Sequence, residues 1–206
     1  MKPLGITLGD PSGIGPEVTC KALATLPPEV RDRIVVIGDP GILARANEMT
    51  GAGLAIGNDV KVIAVDTPKK ESIRDGEISA GGGHAAYGYV VKAVEMARAD
   101  EISVIVTAPL NKTALHRAGH EYDGHTGLIQ HLCGAPSSFM LLYSDALSCI
   151  HVSTHLSLTE AIRRTRKARV LETIRAGHTH FRRLGVENPR IACAGLNPHC
   201  GEGGLF

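Results

Sequence analysis

Gly9-Asp-Pro-Ser-Gly-Ile-Gly-Pro-Glu17 decides the fold, because it joins two patterns of different period. Before it, Leu4-Gly-Ile-Thr-Leu8 reads as a strand. After it, Pro16 suits the first position of a helix and Glu17 its first turn, with Val18, Ala22 and Leu26 spaced along one face. Outward from this turn the alternation repeats. Ile34–Ile37 is a second strand, apolar throughout as a strand covered on both faces should be. Asp39-Pro40 caps a helix to about Gly51, and Val60–Val65 makes a third strand. Gly81-Gly-Gly83 releases a helix to Ala99, and Ile102–Val106 is a fourth strand. The β-α-β-α order predicts an α/β fold with a mostly parallel sheet.

Beyond Gly124 the rhythm changes. Ser138–Tyr143 and Leu147–Val152 predict an antiparallel hairpin, and Thr159 is the expected N-cap of a helix, with a break, to about Arg183. Arg190–Ala194 is expected to form a last strand before the turn-like Asn197–Phe206. The basic run Arg163–Arg169 reads as a solvated helix face.

Composition narrows the function. The 206 residues carry 22 Lys+Arg against 21 Asp+Glu, a net charge of +1, so no bulk field recruits nucleic acid or an acidic membrane. Three Phe, four Tyr and no Trp offer little for stacking on bases. No apolar run is long enough to span a bilayer, and no secretory signal is visible at the start. Five scattered cysteines without a C-x-x-C pair read as reduced thiols of a cytoplasmic protein.

Four places could carry chemistry. The glycine-rich turn allows backbone N–H groups to approach an anion, yet it lacks both the third glycine of a dinucleotide fingerprint and the Gly-Lys-Ser/Thr of a P-loop. A tight turn with no ligand explains the glycines equally well. Lys112 follows the strand end Thr107-Ala-Pro-Leu-Asn111, where ligands of open α/β sheets sit; a solvated surface lysine is the commoner case. His125 and Thr126 open a helical pattern and suit a phosphate or carboxylate, with Thr126 the expected N-cap. His155 and His199 each follow a strand and could share a divalent cation, although two ligands do not close a site.

Five stretches in order resemble the 4-hydroxythreonine-4-phosphate dehydrogenase family: Gly9–Glu17, Thr107–Lys112, Ala118–Thr126, Ser153–Leu156 and Gly195–Gly204. The resemblance implies an isocitrate/isopropylmalate dehydrogenase-like fold of two α/β domains. The boundaries expected are 1–123 for the first and 124–206 for the start of a second, metal-binding and dimerisation domain. It further implies oxidation of a secondary alcohol of a phosphorylated four-carbon hydroxy acid by NAD or NADP, followed by decarboxylation. A divalent metal (Zn, Co, Mn or Mg) assists, in a cytoplasmic homodimer with its active site at the interface. His125 and Thr126 match substrate-binding residues, and His155 and His199 match two of three metal-ligating histidines. No general base or cofactor-binding residue is assigned, and Lys112 receives no role.

Two departures from the family pattern stand out. The family continues beyond Phe206 with the third histidine and much of the cofactor site, so the chain is expected to be incomplete, with an exposed apolar patch near the hairpin. Gly127 stands where members commonly carry Glu, which leaves open 4-phospho-D-threonate, 4-phospho-erythronate or an aromatic cis-dihydrodiol as substrate. A non-catalytic binding or interaction module is the remaining alternative.

Overall fold

The computed structural model describes residues 2–68 and 73–205. The chain forms two compact units, Met1–Pro136 and Ser137–Phe206.

The first unit is a four-stranded parallel sheet in the order β3-β2-β1-β4, built from β1 (Leu4–Thr7), β2 (Ile34–Gly38), β3 (Lys61–Ala64) and β4 (Val104–Thr107). Its helices are α1 (Gly15–Thr25), α2 (Pro28–Arg31), α3 (Pro40–Thr50), α4 (Ala80–Arg98), α5 (Lys112–Arg117) and α6 (His125–Cys133). Every residue of β2 is buried. Successive strand side chains alternate sides. Ile34 and Val36 thus join Cys20 and Leu23 of α1 and Leu43 and Ala46 of α3 in one cluster. Val35 and Ile37 join Ala93 and Met96 of α4 in another. The expected α/β sheet is present.

Local chemistry sets the helix ends. The Asp39 carboxylate accepts from the Gly41 and Ile42 N–H groups, and Gly51 closes α3 in the left-handed conformation. The face α1 buries is Pro16, Thr19, Cys20 and Leu23, not the expected Val18-Ala22-Leu26 line, because the sheet lies on the side of the Gly15 close approach. Gly81–Gly83 lie inside α4, whose cap is Ser79, rather than before it. A Cβ on Gly83 would lie 2.0 Å from the Ala114 carbonyl oxygen, so the glycines allow α4 and α5 to touch backbone to backbone.

The second unit holds a two-residue antiparallel pair, β5 (Leu141–Leu142) with β6 (Cys149–Ile150), as the hairpin reading expects. It continues into α7 (Leu158–Arg164) and α8 (Lys167–Arg183). Ser157, not Thr159, caps α7 by accepting from the Glu160 N–H. Residues 190–194 form no strand, since no neighbour among the described residues completes a ladder with them. Arg169 leaves the expected solvated face. Its guanidinium donates to the Val152 and Ser138 carbonyls and lies 4.2 Å from the Phe139 ring centroid, tying α8 to the hairpin. Leu142, Tyr143 and Leu147 of the hairpin are exposed. No helix among the described residues is long and apolar enough to cross a membrane.

The two compact units meet at Pro136 and Ser137 in sequence. Leu128 of α6 is fully buried against Val90 and Val94 of α4, which holds α6 in the first unit.

Candidate functional site

The strand order places a topological switch between β1 and β4: the chain leaves β1 toward β2 on one side, while β4 returns on the other. Open α/β sheets bind ligands in the crevice beyond the carboxyl ends at such a point. There the two loops are stitched together, the Asp10 N–H donating to the Pro109 carbonyl. Gly9 is left-handed (φ +69°), and a Cβ on it would lie 2.1 Å from that same oxygen. Only glycine fits.

A pocket of about 230 Å³ opens at this crevice, lined among others by Asp10, Ser12, Glu77, Ile78 and Asn111. Asp10 is buried, and its Oδ1 accepts from both the Ser12 N–H and the Ser12 hydroxyl. The Gly76 N–H donates to the Ser12 carbonyl, and Arg45 bridges the Asp75 carboxylate and the Pro11 carbonyl. Asp10 and Glu77 bring two carboxyl groups to the lining, which can also take hydroxyl or cationic groups.

Lys112 runs beside the start of α6, which carries His125 and Thr126. The Asn111 side chain caps α5 by accepting from the Ala114 N–H, placing Lys112 at the first helical position. Gly124 precedes α6 with φ +134°, a conformation suited to glycine, and a Cβ there would lie 3.6 Å from Lys112 Cε. The lysine stem therefore runs beside the start of α6. Thr126 is not the cap; it stands exposed within the first turn, and no side chain caps the helix. His125 Nε2 is buried without a hydrogen-bond partner, and burial pulls the imidazole below its ordinary pKa. A cation, a helix N-terminus and an unsatisfied buried ring nitrogen thus share one small region, a constellation suited to an anionic, hydrogen-bonding ligand.

In the second unit, His155 is exposed in the left-handed conformation (φ +56°). His199 Nδ1 lies 2.6 Å from Glu202 Oε1, and Asn197 Oδ1 accepts from the His199 N–H. A carboxylate on one ring nitrogen fixes a histidine tautomer for ligation through the other. The donor chemistry fits a borderline divalent ion, but no group of three or more His, Cys, Asp or Glu among the described residues is placed to hold one.

Sequence reading missed the local turn in which Asp10 Oδ1 accepts from the Ser12 N–H and hydroxyl. It also missed the Thr67–Tyr89 hydroxyl pair, at 2.5 Å, and the contact of His84 with His120, which joins positions 36 apart in sequence.

Comparison with known proteins agrees with this architecture. The family model of pyridoxal phosphate biosynthetic protein PdxA matches residues 30–206. The D-threonate 4-phosphate dehydrogenase of Cupriavidus necator is 39% identical over 98% of this chain and 64% of its own. A crystal structure of 4-hydroxythreonine-4-phosphate dehydrogenase from Klebsiella pneumoniae superposes with a TM-score of 0.89 at 36% identity, covering 100% of this chain and 66% of that one. A terephthalate 1,2-cis-dihydrodiol dehydrogenase from Burkholderia xenovorans LB400 gives a TM-score of 0.71 at 29% identity, covering 100% and 65%. The α/β architecture of this chain is therefore similar to that of solved structures named as dehydrogenases. The chain belongs to the PdxA family. It spans just under two thirds of the length of the relatives it matches.

Proposed function

We propose that this chain forms the greater part of an NAD- or NADP-dependent dehydrogenase. Its substrate is a phosphorylated four-carbon hydroxy acid of the D-threonate 4-phosphate or 4-hydroxythreonine 4-phosphate type. The observation that carries the reading is the buried, partnerless His125 Nε2 at the start of α6, where the Lys112 stem runs beside Gly124. Lys112 and the α6 N-terminus attract the substrate's negative charge and hold the reacting carbon in place. His125, kept neutral by burial, hydrogen-bonds a substrate oxygen, and Thr126 adds a hydroxyl on the same turn.

His155 and His199, with a third donor outside the described residues, would hold a divalent metal. The metal and the nicotinamide would supply hydroxyl polarisation, hydride acceptance and stabilisation of charge during decarboxylation. The second unit is read as part of a metal-binding and dimerisation domain in an isocitrate/isopropylmalate dehydrogenase-like architecture. The working form is a cytoplasmic homodimer with its active site at the interface.

Gly127 favours a second reading. With nothing within 4 Å of a built Cβ, the position leaves room for a bulkier, uncharged substrate such as an aromatic cis-dihydrodiol. The test is a substrate panel on the full-length protein, read by formation of reduced nicotinamide. Turnover of the 4-phosphorylated acids, lost at least tenfold in Lys112→Ala and His125→Ala, is expected. Turnover of dihydrodiols alone would overturn the choice, and ligand binding without turnover of any substrate would leave only a binding module.

A further inference from the structure

The first unit carries a second histidine pair outside the region just described. His84 is the fifth residue of α4, and His120 lies in the loop between α5 and α6. His84 Nδ1 and His120 Nε2 are 3.2 Å apart. A tetrahedral ion with zinc–nitrogen bonds of about 2.0–2.1 Å holds two ligand nitrogens about 3.3–3.4 Å apart. The hydrogen-bonded spacing is within about 0.2 Å of that span, so an ion could replace the shared proton with a modest turn of the two rings.

We propose that His84 and His120 form a two-imidazole site for a borderline divalent cation such as Zn²⁺, Co²⁺ or Ni²⁺, with water completing its shell.

Both rings are prepared for this role. His120 stacks on Tyr87, one turn beyond His84 on the same helix, with centroids 3.7 Å apart and planes within 6°. The backbone beneath His84 is fixed where Gly82 packs on Asp10 and Ser12, and Gly83 on Ala114. His84 is exposed, so an ion can enter from solvent. Burial and the neighbouring His84 both lower the His120 pKa, which keeps its lone pair available at neutral pH. Imidazole pairs select Zn²⁺, Co²⁺, Ni²⁺ and Cu²⁺ over Mg²⁺ or Ca²⁺. A bound ion would cross-link α4 to the loop ending in Gly124, and so steady the start of α6.

The test is a titration of the full-length His155→Ala/His199→Ala protein with Co²⁺, read by visible absorption and by the histidine imidazole NMR resonances. Uptake of one equivalent, with the largest shifts and broadening on the His84 and His120 rings, is expected. His84→Ala and His120→Gln should each weaken that binding at least tenfold, and His178→Ala should not change it. His84→Ala removes an exposed helical side chain and keeps the fold, so its result stands even if the loop variant is perturbed. Unchanged Co²⁺ affinity in His84→Ala overturns the proposal. So does a titration in which protons alone move the two resonances, which would leave the pair as a hydrogen bond only.

Discussion

In the sheet unit, β2 buries all five of its residues, and α4 buries nine along its length. In the hairpin unit, α8 has 17 residues and buries two, Thr173 and Gly177, while α7 buries none. Composition differs, with six charged residues among the 17 of α8 and three among the 19 of α4. The partner differs too: a parallel strand between two others is covered on both faces by its crossover helices, whereas a two-residue ladder gives a helix little surface to lie on. Burial follows topology and hydrophobicity together. The cost of truncating a side chain should follow the same line.

The largest effect tests that contrast directly. Leu43 is fully buried between the sheet and α1, while Leu158 is 84% exposed. Leu43→Ala should cost about 2–5 kcal/mol in urea unfolding, by lost transfer energy and the cavity left behind. Leu158→Ala should stay within about 0.5 kcal/mol. Comparable losses from both would show that the hairpin unit has a core of its own, and the comparison would fail.

Most of the sheet unit was legible because its signals are local. Pro16, Asp39 and Gly51 mark helix ends by their own backbone chemistry, and an unbroken apolar β2 announces a strand covered twice. Reading faltered where a long-range approach decides. The face of α1 turns toward Thr19 and Leu23 because Gly15 allows helix and strand to close, and Arg169 leaves the solvent for two carbonyls distant in sequence. Residues 190–194 have strand composition, but a strand exists only in its ladder. At the candidate site, His125 and Lys112 could be named from motif and position. The empty hydrogen-bonding position at His125 Nε2 and the acidic lining at Asp10 and Glu77 emerge only when loops far apart in sequence are closed together.

A smaller effect concerns a deeply buried polar group of the sheet unit. Tyr89 is fully buried with its hydroxyl on Thr67, and burial pushes its pKa up to about 12 from 10.0. The folded state therefore holds the phenolic proton more tightly than the unfolded chain. The resulting stability is fully present below pH 10 and is lost as pH rises from about 10 to about 12, amounting to about 2–3 kcal/mol. Tyr89→Phe should flatten this part of the pH profile. At neutral pH it should cost about 1 kcal/mol, because Thr67 loses its partner. An alkaline profile identical in wild type and variant would mean that the ring is solvated in solution.

The smallest effect sharpens the comparison within the sheet unit itself, between two glycines that both lie in helices. A Cβ on Gly83 meets the Ala114 carbonyl at 2.0 Å, whereas one on Gly127 meets nothing within 4 Å. The first glycine is required by packing; the second is not, and only weakens α6. Gly127→Glu should therefore stabilise the protein by about 1 kcal/mol. The change removes the conformational freedom of glycine from a helix and places an acid in the first turn, where the helix dipole favours it. Urea unfolding measures the gain, and Gly127→Ala separates the two contributions, since it keeps the propensity term and lacks the charge. The carboxylate would also stand on the same turn as His125 and Thr126. A gain in stability accompanied by a changed KM for 4-phosphorylated acids would make Gly127 a position that sets substrate choice. A gain with unchanged KM would leave it as a helix position alone.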